Sequence, residues 1–358
     1  MKKIILIVFS LLLLLSCNDE KKESKIKIGI VAPLTGEGAS YGEAMQRGFN
    51  LIFDESNKFN LIYEDSKLQP SQGVNAIQKL ISTDKVKVVY GAAASSVTLA
   101  MAPIAEKNKV ILFSSISSTD DLINAGDYIF RNVPSNKVQG ITAAKFLIND
   151  LKIKNIAILG ENDDYGINLS QSFKKKVLEL GANIVAEENY SSSDNDFRTQ
   201  LNKIKEKNAE AIFVPGNYEE TILIIKQMKE LGMNIPTIGG DGSYSDLLIK
   251  NLKDKAEGFY CTVMGLDENS DFFVKFKKIF IKKYNKKPNV YDAYAYEAGN
   301  ILLEAINNVG YDADKIKNYL YNTTFNSLTG KLKFDKNGEV NRDYNVVVVK
   351  NGNFINFK

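Results

Sequence analysis

Histidine is absent from all 358 residues, and cysteine occurs only at Cys17 and Cys261. Without an imidazole, His-based acid–base catalysis, His-containing triads and His-ligated metal sites are excluded. An excess of either charge is missing as well: 46 Lys and Arg stand against 43 Asp and Glu, a formal net charge of +3. No long basic stripe occurs. Lys174–Lys176 and Lys277–Lys278 fall on amphipathic helical patterns and read as solvated faces, which disfavours a nucleic-acid partner.

Long hydrophobic runs are confined to the start of the chain. Lys2 and Lys3 precede Ile4–Phe9 and Leu11–Leu15, and the run ends at Ser16–Cys17. A positive n-region, a short apolar h-region and a small residue before a cleavage point describe an export signal. The run is shorter than the ~20 apolar residues of a good spanning helix. Leu14-Leu15-Ser16-Cys17 resembles a lipobox, although Leu15 is not the commonest residue at its place. That resemblance implies residues 1–16 as signal peptide, lipidation of Cys17, and residues 17–25 as a polar tether outside the cytoplasmic membrane. Removal of the signal takes two lysines with it, which leaves 342 residues and a charge of +1, enough for two domains. Cys261 then has no intrachain partner. Following Phe259–Tyr260 on a strand-like run, it reads as a small buried apolar filler.

Strand and helix patterns alternate through the mature region. Apolar strands are expected at Ile26–Val31, Asn60–Glu64, Val86–Tyr90 and Val110–Phe113, with helices at Ser40–Glu55, Pro70–Ile81 and Ser95–Lys107 between them. A second series follows, with helices Lys137–Asn149, Tyr165–Leu180, Phe197–Lys207 and Glu219–Leu231. Its strands are Asn155–Leu159, Ile184–Glu187 and Ala211–Val214, and another run ends at Ile238. Repeated strand–helix units imply an α/β fold with parallel-rich sheets covered on both faces, arranged as two similar lobes. Beyond Phe259 the pattern changes to helices Phe272–Tyr284, Val290–Asn308 and Ala313–Tyr321. Short strands Lys331–Phe334, Tyr344–Val349 and Phe354–Phe357 end the chain, with tight turns at Asn337–Gly338 and Asn351–Gly352.

Open parallel sheets bind ligands beyond the carboxyl ends of their strands. The loops there are rich in Ser, Thr, Gly, Tyr and Asp. Ala94-Ser95-Ser96 precedes a helix, so its backbone N–H groups and hydroxyls could seat a carboxylate or phosphate, unless Ser95 is only an N-cap. Ser114–Thr119 offers more hydroxyl and amide donors, or is simply a polar turn. Asp241, in Gly239-Gly240-Asp241-Gly242, projects a carboxylate suited to an ammonium group, or closes an Asx-turn. Tyr41, Tyr165 and Tyr218 stand at equivalent loop-to-helix junctions, where a phenol can pack an apolar body and donate one hydrogen bond.

These residues carry a family resemblance across the mature chain. Ile28–Gly36, Tyr41-Gly42, Gly91–Ser96, Phe130-Arg131, Asp164-Tyr165-Gly166 and Gly239–Gly242 make it similar to substrate-binding proteins of ABC importers of the branched-chain amino acid type. These belong to the type I periplasmic binding-protein superfamily. The resemblance implies two Rossmann-like lobes joined by three crossovers near residues 133–139, 258–265 and 328–332. Lobe 1 would comprise 26–135 plus 263–329, and lobe 2 would comprise 136–262 plus 330–358. It implies Ser95, Ser118 and the Ile116 backbone on a ligand carboxylate, with Ser96 in the same loop. Asp241 would take the ammonium, and Tyr41, Tyr165 and Tyr218 would surround the side chain. The chain departs from the pattern in Asp241 where leucine-type binders often carry Glu, in Ser118 for a frequent Thr, and in the bulk of Ile116. Capture of an aliphatic amino acid (Leu, Ile or Val type) for an ABC permease and its ATPase follows. A monomer held to the membrane by lipid is expected, without catalytic residues, cofactor or metal.

Two other classes fit parts of the pattern. Gly36-Glu37-Gly38-Ala39-Ser40-Tyr41-Gly42 superficially resembles a nucleotide loop of an enzyme. The fingerprint should open directly at the strand end, whereas Pro33-Leu34-Thr35 intervenes and the third Gly falls one place late. A sensor, or an importer component for an amide, urea or aromatic acid, would share the fold and cleft.

Overall fold

The computed structural model describes residues 25–54 and 56–357, so the signal segment and Cys17 lie outside the described residues. Five parallel strands make the first sheet: β1 (Ile26–Ala32), β2 (Phe59–Asp65), β3 (Val88–Tyr90), β4 (Ile111–Ser114) and β5 (Ile129–Arg131), in the order β2-β1-β3-β4-β5. Helices α1 (Ala39–Phe53), α2 (Pro70–Ser82) and α3 (Ser95–Lys107) connect them. The period-2 rule explains why β1 reads as a continuous apolar run. Ile28 and Ile30 bury one face in the cluster of Met45 and Phe49 on α1, whereas Val31 points to Ile77 and Leu80 of α2 on the other. Both faces are covered, so neither can be polar.

A second sheet repeats that layout. Strands β6 (Asn155–Glu161), β7 (Asn183–Tyr190), β8 (Ala211–Val214), β9 (Thr237–Gly239) and β10 (Tyr260–Met264) run parallel in the order β7-β6-β8-β9-β10. The helices α4 (Asn136–Lys145), α5 (Asp164–Glu179), α6 (Arg198–Glu206), α7 (Tyr218–Glu230) and α8 (Asp246–Leu252) belong to this half of the chain. On α5 the residues Leu169, Phe173 and Val177 recur at i, i+4 and i+8 and are fully buried, the stripe that packs on the sheet. Three helices follow: α9 (Asp271–Tyr284), α10 (Val290–Val309) and α11 (Ala313–Asn322). The first two return to the first sheet and pack with α1 in one cluster. The chain closes with β11 (Thr324–Ser327) paired to β12 (Gly330–Lys333), then β13 (Tyr344–Lys350) and β14 (Asn353–Asn356), which extend the second sheet antiparallel beside β10.

Several elements differ from the sequence reading. Val86 does not join β3, because its N–H bonds to the Leu80 carbonyl at 3.1 Å and closes the end of α2. The helix expected to Asn149 is α-helical only to Lys145 and continues as a π-turn over Phe146–Asp150, with Leu151 N–H bonding Phe146 at 3.1 Å. The final segment, expected in the second lobe from residue 330, first packs on the first sheet. Phe334 meets Phe113 and Phe130 at ring-centroid distances of 5.7 and 5.4 Å, and Arg131 N–H bonds the Gly338 carbonyl. The apolar face of the β11–β12 hairpin is buried there before the chain turns to β13. Asn351 and Gly352 both have positive φ, 52° and 68°, as the expected two-residue hairpin turn requires. Cys261 is a free, fully buried thiol on β10.

Candidate functional site

In each sheet the strand order reverses at the first strand of the series, β2-β1-β3 and β7-β6-β8, so the loops beyond β1, β3, β6 and β8 open a crevice. The two crevices face each other. Gly38 N–H, before α1, donates to Glu219 Oε1 on α7 at 2.9 Å, and Tyr41 Oη donates to the Gly242 carbonyl beyond β9. A small cavity lies between them, walled by loops from both crevices.

The loops after β3 and β4 supply one wall through Ala93, Ala94, Ser95, Ile116 and Ser118. Gly91 begins the β3 loop at φ +137°, where a Cβ would come within 2.4 Å of the Val31 carbonyl oxygen; a side chain there would displace the turn leading to Ser95. Ser95 is the first residue of α3, not its cap: Ala94 occupies the N-cap, and Ser95 Oγ accepts the Thr119 N–H at 3.3 Å. Ser118 Oγ is buried and makes no close hydrogen bond, although the Tyr344 hydroxyl lies beside it at the edge of the cavity.

The opposite wall carries Asp241. Its Oδ1 accepts from Tyr165 Oη at 2.7 Å and from Gly242 N–H at 3.1 Å, so it is not a local Asx-turn. Gly240 permits this approach, since a Cβ there would lie 2.1 Å from Tyr165 Oη. Burial pushes the Asp241 carboxyl above its ordinary range, while its hydrogen bonds from neighbouring side chains and backbone oppose that shift. A carboxylate so placed gains from a cationic partner in the cavity. Tyr291, at the start of α10, donates through Oη to the Asp241 carbonyl and lines the same space.

Of the residues expected from sequence, Tyr41, Ser95, Ile116, Ser118, Tyr165 and Asp241 line this one cavity. Two do not. Tyr218 stacks edge-on behind Tyr41 at 5.6 Å, because α7 presents its first residue to the ring and not to the opening. Ser96, one residue further along α3, faces an adjoining, wider chamber. Leu68, Asp163, Asn217, Gly242 and Tyr291 were missed as lining residues. Asn217, Asp163 and Gly242 had a signal, as residues of the loops after β8, β6 and β9, whereas Leu68 and Tyr291 had none. Among the described residues no group of three or more His, Cys, Asp or Glu could hold a metal ion, and no helix is long and apolar enough to cross a membrane.

Comparisons agree with this architecture. The family described as periplasmic binding protein matches residues 25–353. The leucine-, isoleucine-, valine-, threonine- and alanine-binding protein of Pseudomonas aeruginosa is 27% identical over 333 residues, 90% of this chain and 89% of its own length. A Leu/Ile/Val-binding protein homolog of Brucella abortus is 28% identical over 330 residues, covering 88% and 87%. The crystal structure of the leucine-binding protein LivK of Thermotoga maritima superposes with a TM-score of 0.88 at 28% identity, covering 93% of this chain and 98% of that one. LivJ of Streptococcus pneumoniae, a branched-chain amino acid transporter substrate-binding protein solved with isoleucine, gives 0.85 at 27% identity over 92% and 97%. Two reversed parallel sheets facing across one loop-lined cavity, matched over nearly the whole described chain, lead to one conclusion: this chain belongs to the periplasmic binding protein family, on the type I branch that includes the Leu/Ile/Val-binding proteins.

Proposed function

We propose that this protein captures an aliphatic amino acid of the Leu, Ile or Val type outside the cytoplasmic membrane and delivers it to an ABC permease. The observation that carries this reading is Asp241, a buried carboxylate set across one small cavity from the hydroxyls of Ser95 and Ser118. A zwitterion satisfies both sides at once. Its ammonium pairs with Asp241, steadied by Tyr165, and its carboxylate takes the spare Ser118 hydroxyl together with Ser95 and the Ile116 backbone. Tyr41, Tyr291, Leu68 and Ala93 surround the side chain, and Tyr218 supports Tyr41 from behind. One methylene in such a wall is worth only ~1–3 kcal/mol, so several aliphatic amino acids are expected to bind comparably. The ligands of the relatives above support the same class.

The cycle is capture and release, without catalysis. The lobes we assign are residues 26–135 with 263 to about 340, and 136–262 with the tail from there; the packing of Phe334 on the first sheet supports a last crossing near residues 341–344 in place of 328–332. They open to admit the ligand and close over it. A lipid on Cys17 keeps the monomer beside a permease driven by its ATPase. Calorimetric titration of the full chain in mild detergent, after unfolding and refolding to strip carried-over ligand, tests this against all amino acids plus urea and acetamide. Saturable binding of Leu, Ile or Val is expected. Silence towards every amino acid, with binding of urea or acetamide, would overturn it. Radiolabelled palmitate incorporation that is lost in Cys17→Ser checks the anchor.

A further inference from the structure

A second chamber adjoins the ligand cavity. It is the wider of the two and shares the lining residues Leu68, Ala94, Asp163 and Asn217 with the smaller one, so these side chains stand between them. Its walls are acidic: Glu37, Glu161, Asp163, Asp164, Glu219 and Glu220 line it, with Lys67 as the single cation among its described lining residues. Three of these acids already have partners. Glu161 accepts from Asn217 N–H and Nδ2, Asp163 caps α5 through Gly166 N–H, and Glu219 accepts from Gly38 N–H. Glu220 differs. It is only 4% exposed, and its Oε2 has no hydrogen-bond partner.

A carboxyl oxygen left without a partner at this depth is costly unless something completes it. Neither Leu nor Val would reach the chamber with a charged group. We propose that the site also takes amino acids whose side chains end in a cation, such as lysine or ornithine, with the α-amino acid group held as above and the terminal ammonium seated in this chamber against Glu220 and Glu161. The inference rests on the proposed zwitterion site. An alkyl stem would run past Leu68 and Ala94, apolar neighbours suited to methylenes, and place its charge where the carboxyls converge. Lys67, on the loop after β2, leaves the net balance strongly negative. Tyr190, on β7, stands beside Glu161 and Glu220 with its own hydroxyl unpartnered, and is neutral.

Electrostatics agree with the geometry. Burial pushes the Glu220 carboxyl up to about 7, and burial followed by repulsion from Asp163 and Glu220 raises Glu161. An empty chamber therefore retains protons near neutrality, and an incoming ammonium expels them. Leucine leaves them in place.

The test titrates the ligand-stripped full chain in detergent with L-leucine and with L-lysine at pH 7, in phosphate and in Tris, whose ionisation enthalpies differ. Both should bind, and only lysine should release protons, seen as a buffer-dependent heat. Glu220→Gln should weaken lysine by roughly tenfold or more while leaving leucine unchanged. Leucine binding without lysine binding at millimolar concentration would overturn the inference and leave the proposed function intact. Lysine binding that Glu220→Gln does not alter would also overturn it. Binding of neither amino acid would instead overturn the zwitterion reading beneath it.

Discussion

The Arg342 guanidinium grips both carboxylate oxygens of Glu297, Nη1 to Oε2 at 2.6 Å and Nη2 to Oε1 at 2.7 Å, with both side chains buried. The same pair gathers the segments that link the two sheets. Glu297 accepts from Asn132 Nδ2 at 2.8 Å and from Leu328 N–H at 2.6 Å, while Arg342 Nη1 donates to the Asn132 carbonyl. Asn132 follows β5, and Arg342 precedes β13. This knot lies where the chain passes from one sheet to the other, so it ties the crossing segments together.

Arg342→Met removes the counter-charge and its hydrogen bonds and leaves the Glu297 carboxyl uncompensated in a site with no solvent access. A loss of about 3–5 kcal/mol is expected, because a buried charge is left uncompensated. Urea unfolding followed by circular dichroism measures it; a change below about 1 kcal/mol would show that the pair is not a structural anchor.

Asp241→Ala should abolish amino-acid binding with the fold intact, a loss of about 2–5 kcal/mol of binding free energy for truncating one member of a buried charge pair. Calorimetry reads the affinity, and far-UV circular dichroism verifies the fold. Unchanged affinity in a folded variant would remove the ammonium from this position.

Tyr165→Phe deletes the Oη that donates to Asp241 and keeps the ring. Hydrogen bonds to charged groups contribute about 1.5–3 kcal/mol, so binding should weaken by that order, less than in Asp241→Ala. An effect equal to the loss of the carboxylate itself would mean that the ring has shifted.

Ser118→Ala removes a hydroxyl that makes no close hydrogen bond in the protein and has only the Tyr344 hydroxyl beside it. Stability should stay within about 0.5 kcal/mol or rise slightly, since no hydrogen bond is broken. Affinity for the amino acid should nevertheless fall, and a ligand lacking the carboxylate should be insensitive to the change.

Glu220 gives the pH dependence a definite sign. Its folded value, raised by burial to about 7, exceeds its ordinary 4.5, so between those limits the native state holds a proton that the unfolded chain has released. Stability from this group is therefore full below about pH 4.5, falls as pH rises to about 7, and is level beyond. Glu220→Gln should be close to neutral at pH 4.5 and stabilising at pH 8, by a few kcal/mol at most. Denaturation midpoints across that range check it, and a variant effect independent of pH would contradict the assignment.

Periodicity made the strand–helix alternation legible because burial on both faces forces apolar runs such as Ile28–Val31 and Ile156–Leu159, and helices such as α5 carry their stripe at 3.6-residue spacing. Short elements escaped. The three residues of β5 are too few for a period to register, and Val86 is as apolar as a strand residue although its N–H serves a helix end.

For the site, the residues at strand ends were legible as loop chemistry: Ser95, Ser118, Tyr165 and Asp241 each lie where a parallel sheet exposes its carboxyl edge. Tyr291 was not, because it reaches Asp241 only after the chain leaves the second sheet and returns along α10 to the first. Nor could local sequence distinguish Tyr41, which lines the cavity, from Tyr218, which supports it. Glu220 looks in sequence like any acid in the first turn of a helix; only the meeting of α7 with β6 and the β2 loop buries it unpaired. The amino-acid order determined which faces are apolar and which loops are polar, since those follow from neighbours three or four residues away. Which loops converge, and which carboxyls share a chamber, was decided by strand order and crossovers spanning 50 to 245 residues, contacts that no local pattern encodes.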